Sequence, residues 1–98
     1  MIKKTYTKAG SSCRVTFTVP PEVNAQTAYL CGDFNQWDRT SHPMKHRKDG
    51  SFSLTLSLKP GQQYCFRYLL DGERWESDTT ADAQTPNPFG SNDSVVQV

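Results

Sequence analysis

Residues 63–76 read QYCFRYLLDGERWE. Tyr64, Phe66, Tyr68 and Leu70 alternate with Cys65, Arg67 and Leu69, and a period of two is that of a β-strand, whose successive side chains point to opposite faces. Leu70-Asp71-Gly72-Glu73 then reads as a tight hairpin turn, and the chain returns through Arg74-Trp75-Glu76. The same period extends outward in both directions. In Ser12–Val19, Cys13, Val15, Phe17 and Val19 share one face, and Pro20-Pro21 ends the strand because proline cannot donate to a ladder. Thr27–Cys31 is a second short strand. Lys48-Asp49-Gly50 is a turn signal ahead of Ser51–Leu58, whose Phe52, Leu54, Leu56 and Leu58 fall on one side. Lys59-Pro60-Gly61 turns the chain again. Residues 77–93, rich in Asp, Thr, Ala and Pro, read as a loop, and Ser94–Val98 as a closing edge strand. No segment carries a helical stripe. Seven to eight short strands with turn signals at this spacing predict an all-β, antiparallel β-sandwich.

The chain as a whole sets the limits. Ninety-eight residues make one domain, divided here into an N-terminal extension over 1–11 and a domain over 12–98. Eleven basic and ten acidic residues leave a net charge of +1, too little to capture nucleic acid or a membrane surface electrostatically. The basic run Lys45-His46-Arg47-Lys48 ends in Asp49-Gly50 and reads as a solvated hairpin tip. Cys13, Cys31 and Cys65 are odd in number and widely spaced, which indicates neither a disulfide framework nor a zinc site and suits a reducing cytoplasm. Pro43 between His42 and His46 argues against a helical metal pair, and both read as solvated loop residues. Cys65 has no identifiable activating base and reads as an incidental thiol. The N-terminus lacks the apolar stretch of a leader, and no run approaches the ~18 apolar residues that span a bilayer. The chain begins at Met1 and ends just after its last strand, as a free-standing module would.

Three large aromatics fall outside the inward-facing phases. Trp37 follows a turn in YLCGDFNQWD (residues 29–38), Trp75 follows a hairpin, and Phe89 lies in NPFGSND. A core role is the ordinary expectation for a tryptophan, yet Val15, Phe17, Leu54, Leu56, Phe66 and Tyr68 already supply a core. If these loops meet, the indoles form a flat apolar platform with polar neighbours. A sugar ring offers a matching surface, with an apolar, electropositive C–H face and a rim of hydroxyls, and the negative π face of an indole can stack on it. Arg67, Asn92 and Asp93 would serve the hydroxyls.

Gly32-Asp33-Phe34-Asn35-Gln36-Trp37, Phe66 through Trp75, and Asn87-Pro88-Phe89-Gly90 followed by Ser94-Val95-Val96 together resemble the family-48 carbohydrate-binding modules. These are the early set domains of isoamylase and glycogen-branching enzymes, and the glycogen-binding domain of the AMP-activated protein kinase beta subunit is similar. The resemblance covers residues ~12–98. It implies an immunoglobulin-like β-sandwich that binds α-1,4-linked glucans such as glycogen, starch and maltooligosaccharides, without a cofactor. It further implies that Trp37 and Trp75 stack on sugar and that Arg67 stands where related domains have a lysine bonded to glucose hydroxyls. Phe89 would replace a loop leucine and Ser91 a loop threonine. Asp93, with Asn92 beside it, falls where an asparagine occurs, and a carboxylate accepts hydrogen bonds where an amide also donates.

Two other classes bear weighing. A glycoside hydrolase needs two carboxylates about 5–9 Å apart, but Asp33, Asp38, Asp71, Glu73, Glu76 and Asp78 lie mostly in turns, where Asp is selected for backbone bonding. The catalytic barrel that accompanies such modules needs about 250 residues. The chain is therefore expected to be non-catalytic, targeting or regulating a glycogen-metabolising enzyme. The alternative is a protein-docking early set domain without a working sugar site, its exposed aromatics forming an interface.

Overall fold

The computed structural model describes residues 2–88 and 90–98, and Phe89 lies outside them. Nine strands occur among the described residues: β1 (Ile2–Tyr6), β2 (Cys13–Val19), β3 (Ala28–Gly32), β4 (Lys45–His46), β5 (Phe52–Leu58), β6 (Gln63–Leu70), β7 (Arg74–Glu76), β8 (Ala83–Pro86) and β9 (Asn92–Gln97). They form two antiparallel sheets, one in the order β1-β2-β5-β4 and the other β3-β6-β9-β8, with β7 also paired to β6. This is the all-β sandwich expected from the two-residue period.

The alternation seen in sequence becomes a core between the sheets. Cys13, Val15, Phe17 and Val19 of β2 are buried, as are Phe66, Tyr68 and Leu70 of β6. Phe17 and Phe66 meet edge to face with ring centroids 5.0 Å apart, a geometry that suits the aromatic quadrupole. Leu54 and Leu56 are partly buried and pack against this cluster.

Along β6, inward residues alternate with Cys65, Arg67 and Leu69, which stand on the outer face. The ladder register sets their neighbours. Cys31 of β3 lies opposite Arg67, Trp75 of β7 opposite Leu69, and Val95 of β9 opposite Cys65. Strand β6 thus carries β3 along one edge and both β9 and β7 along the other, which concentrates side chains from distant parts of the sequence on one outer surface.

Three boundaries differ from the sequence reading. Residues 77–93 are not wholly loop, because Ala83–Pro86 pairs with Asn92–Asp93-Ser94-Val95 as β8. Its AQTP sequence has no apolar alternation and is a strand only through its neighbour, and its proline is tolerated because β8 is an outermost strand. Consequently the segment beginning at Ser94 is not an edge strand: β9 is paired on both sides, to β6 and β8. Within 1–11, Ile2–Tyr6 joins the first sheet, with Ile2 opposite Phe17 and Tyr6 opposite Cys13. The basic hairpin tip is as expected, with Lys45, His46, Arg47 and Lys48 exposed and the Arg47 N–H donating to the Ser51 carbonyl at 2.7 Å.

Candidate functional site: an aromatic cavity on the outer face

After β3 the chain makes a short 3-10 turn, Asp33–Asn35, and most residues of the GDFNQW stretch have a distinct structural task. Gly32 lies against β6 so closely that a Cβ there would come within 2.5 Å of the Cys65 carbonyl oxygen. Phe34 points inward and meets Phe17 at 5.8 Å between centroids. Asn35 ties the turn to the strand, its Oδ1 accepting from the Gly32 N–H at 3.0 Å and its Nδ2 donating to the Leu30 carbonyl at 2.9 Å. The same amide lies 2.8 Å from His42 Nδ1. His42 is therefore a half-buried partner of the turn, whereas the sequence reading had it solvated.

These ties hold Trp37 outside the core. Gln36 and Trp37 have φ values of 56° and 58°. Consecutive left-handed non-glycine residues are uncommon, and such strain, of order 1–3 kcal/mol per residue, persists only where the surroundings over-determine it. Here the Trp37 N–H donates to the Gly32 carbonyl at 2.9 Å. The indole Nε1 donates to Asp33 Oδ1 at 3.0 Å, while Asp33 Oδ2 accepts from the Cys65 N–H at 2.8 Å. One carboxylate thus fixes the indole and anchors it to β6.

Across the outer face lies Trp75, half buried, with the guanidinium carbons of Arg67 and Arg39 each 5.6 Å from its ring centroid. The third wall comes from Asn87, Pro88 and Asp93. Asn87 Nδ2 donates to Asp93 Oδ1 at 3.0 Å, Asn87 Oδ1 accepts from the Ser91 N–H at 3.1 Å, and the Asn87 N–H donates to the Ser91 carbonyl at 2.9 Å. Together these walls enclose an open cavity of about 560 Å³, lined by both tryptophans, Arg39, Arg67, Asp33, Asp93, Cys65, Asn87 and Pro88.

Of the residues expected from sequence, Trp37, Arg67, Trp75 and Asp93 meet in this cavity. Asn92 and Ser91 do not line it. Asn92 is one position out of phase with Asp93 on β9, and its carbonyl accepts from Ser77 Oγ at 2.9 Å. Ser91 contributes its backbone to the loop staple. Sequence reasoning missed Asp33 and Asn87 as supports, and Arg39, Cys65 and Pro88 as lining residues. Cys65 shared the outward phase of Arg67, which was the available signal, whereas nothing periodic marked Arg39.

Burial, followed by the nearby Asp33 and Asp93 charges, pushes the Cys65 thiol up from its ordinary value, away from nucleophilic thiolate. Among the described residues Asp78 is the buried carboxylate, 4% exposed. Burial pushes its pKa up, yet hydrogen bonds that include those from Thr80 and Tyr68 more than offset this and hold it below the usual range, opposite to the shift a general acid needs. Asp38 and Asp71 likewise sit low, first through backbone N–H donors at Thr40 and Gln26 respectively. No group of His, Cys, Asp and Glu among the described residues could hold a metal ion, and no helix among them is long and apolar enough to cross a membrane.

Comparison with known proteins bears on the whole domain. The chain is 45% identical over 42 residues to a 1,4-alpha-glucan-branching enzyme of Saccharomyces cerevisiae, a stretch covering 42% of this chain and 6% of that enzyme. It is 33% identical over 69 residues to Protein PTST homolog 2, chloroplastic, of Arabidopsis thaliana, covering 70% of this chain and 12% of that protein. A 1,4-alpha-glucan branching enzyme of Aquifex aeolicus is 35% identical over 68 residues, covering 66% and 10%. The chain thus corresponds to a small part of each of these relatives. A family profile described as the glycogen recognition site of AMP-activated protein kinase matches residues 15–98, nearly the whole described sandwich, and the chain belongs to that glycogen-recognition family of carbohydrate-binding modules.

Proposed function

We propose that the cavity is a working binding site for α-1,4-linked glucan. The observation that carries this reading is the convergence of Trp37 and Trp75 with Arg67 and Asp93 around one open cavity. The two indoles stack on the C–H faces of glucose units, Arg67 donates to hydroxyls and Asp93 accepts from them. Each stack contributes roughly 0.5–1.5 kcal/mol beyond area burial, so the site holds a polymer through several modest contacts, in the micromolar to millimolar range of about 4–8 kcal/mol. The relatives bear names of branching enzymes that act on 1,4-alpha-glucan, which accords with a module that keeps a glycogen-metabolising enzyme near its substrate. The module itself is non-catalytic, since its turn carboxylates are engaged with backbone N–H groups. Its near-zero net charge suits a neutral polyol better than nucleic acid or a membrane. Its three free cysteines suit a reducing compartment such as the cytoplasm.

The test is a native gel with and without embedded glycogen, running wild type beside Trp37→Ala. Retardation of wild type alone is expected. Because Trp37 is half buried and outside the core, the variant should lose less stability than the 3–5 kcal/mol of a core tryptophan truncation. Equal mobility of wild type with and without glycogen would overturn the reading in favour of the docking alternative.

A further inference from the structure

The glucan-stacking reading meets an occupant already in place on Trp75. The guanidinium carbons of Arg39 and Arg67 both lie 5.6 Å from the ring centroid, within the distance at which a cation is attracted to an indole face. The two arginines are held very differently. Arg67 rises from the middle of β6 and is half buried, and its Nε is closed off from solvent without a hydrogen-bond partner among the described residues. Arg39 is exposed, stands in the loop two residues beyond Trp37, and makes no side-chain hydrogen bond or ion pair among the described residues. Its guanidinium lies over Trp75 at the cavity that it lines.

A pyranose ring approaches an indole through C–H groups that seek the same negative π surface as a cation. Sugar and guanidinium therefore compete for Trp75, and the group able to leave is the exposed one on a loop. We propose that Arg39 is a displaceable self-ligand of Trp75, occupying the indole in the free protein and yielding it to the glucan. The inference rests on the glucan reading of the cavity and adds a regulatory contact to it. The self-contact keeps a half-buried indole covered between binding events and lowers the apparent affinity by the strength of the contact that must be broken.

The strength of an exposed cation–π contact sets the expected size of the effect. Arg39→Ala should bind maltoheptaose about two- to five-fold more tightly than wild type, and Arg39→Lys should stay close to wild type. Binding is followed by intrinsic tryptophan fluorescence, and the position of Arg39 by NMR. In the free protein the Arg39 side-chain methylene protons should be shifted upfield by the Trp75 ring, a shift that Trp75→Leu abolishes. On titration with maltoheptaose that shift should disappear at the same saturation as the fluorescence change. Saturable binding with the Arg39 shift unchanged would overturn the self-ligand alone. So would equal or weaker binding by Arg39→Ala: equal binding would mean that Arg39 does not compete for Trp75, and weaker binding would make it an ordinary sugar contact. A wild-type protein that responds to neither maltoheptaose nor glycogen would overturn the glucan reading, and the self-ligand with it.

Discussion

The two faces of β6 share one backbone and solve opposite problems. On the inner side Tyr68, Phe66 and Leu70 are buried in a core to which Phe17 and Val15 of the other sheet also belong. On the outer side Arg67 and Cys65 are only partly covered, and Leu69, although buried, lies opposite the half-buried Trp75. The inner side is held by non-directional burial, where volume and apolarity are what matter. The outer side is held by directed contacts: Asp33 bonds both the Trp37 indole and the Cys65 N–H, and Asn87 bonds Asp93. Stability is thus concentrated on one face, and the proposed glucan site lies on the other. A large aromatic can remain half exposed on the outer face because the opposite face secures the strand beneath it.

That contrast is best broken by truncating one residue from each side. Phe66→Ala removes a fully buried ring in contact with Phe17 and Tyr68. It should cost about 3–5 kcal/mol in urea unfolding, a large share of the ~5–15 kcal/mol available to such a domain. A loss below about 1 kcal/mol would mean that the inner face is not the stabilising one.

Asp33→Ala probes the outer face and should have a smaller effect on folding. It removes one acceptor of the indole N–H and one of the Cys65 N–H, and charged hydrogen bonds are worth about 1.5–3 kcal/mol each at most, less where solvent competes as at the exposed Asp33. We expect a loss of about 1–2 kcal/mol in stability, together with weaker maltoheptaose binding because the Trp37 indole is no longer fixed. Asp33→Asn keeps one acceptor oxygen and should recover part of both. Titration calorimetry beside urea unfolding separates the two effects. Unchanged affinity in Asp33→Ala would show that Trp37 is positioned by its backbone alone.

How much of this was legible in the sequence follows from the same contrast. Burial leaves a periodic trace, so Phe17, Phe66 and Tyr68 were readable as core from strand phase alone. The outer face leaves only the outward phase of Cys65 and Arg67, because its other members come from separate segments and meet only in the folded sandwich. Trp37 and Trp75 were nameable as large aromatics outside the inward phases, and Arg67 and Asp93 as polar side chains suited to hydroxyls, with the resemblance of their motifs to a known family adding a role for each. Arg39 was not, since an arginine in a loop carries no sign of the ring it will cover. Strand β8 escaped for a related reason: Ala83, Gln84 and Pro86 are exposed, so pairing with β9 makes the strand without any apolar pattern to announce it. The His42 contact with Asn35 likewise depends on a turn whose geometry is set by tertiary packing.

The smallest expected effect concerns acid, and it sharpens the claim that the turn carboxylates are structural. Asp71 Oδ1 accepts from the Gln26 and Thr27 N–H groups at 2.7 and 3.1 Å, and these bonds, followed by Arg74, hold its carboxyl below the ordinary range. Asp82 is also low: burial raises it, but the Lys4 hydrogen bond and the Gln97 N–H more than compensate. A carboxylate with a depressed folded-state pKa binds fewer protons folded than unfolded, so its contribution is complete above the unfolded value near 4. That contribution is lost as pH falls from there through the folded value. Urea unfolding should therefore show a plateau above about pH 5 and a decline below it. Asp71→Asn keeps the Oδ1 acceptor but removes the titration, so its decline should be shallower than that of wild type, with only a slight change at neutral pH. Superimposable acid limbs for the two proteins would mean that Asp71 ties the 70–73 turn to Gln26 and Thr27 without linking its charge to folding, and the acid sensitivity would then belong to the other depressed carboxylates, Asp38, Asp49, Asp78 and Asp82.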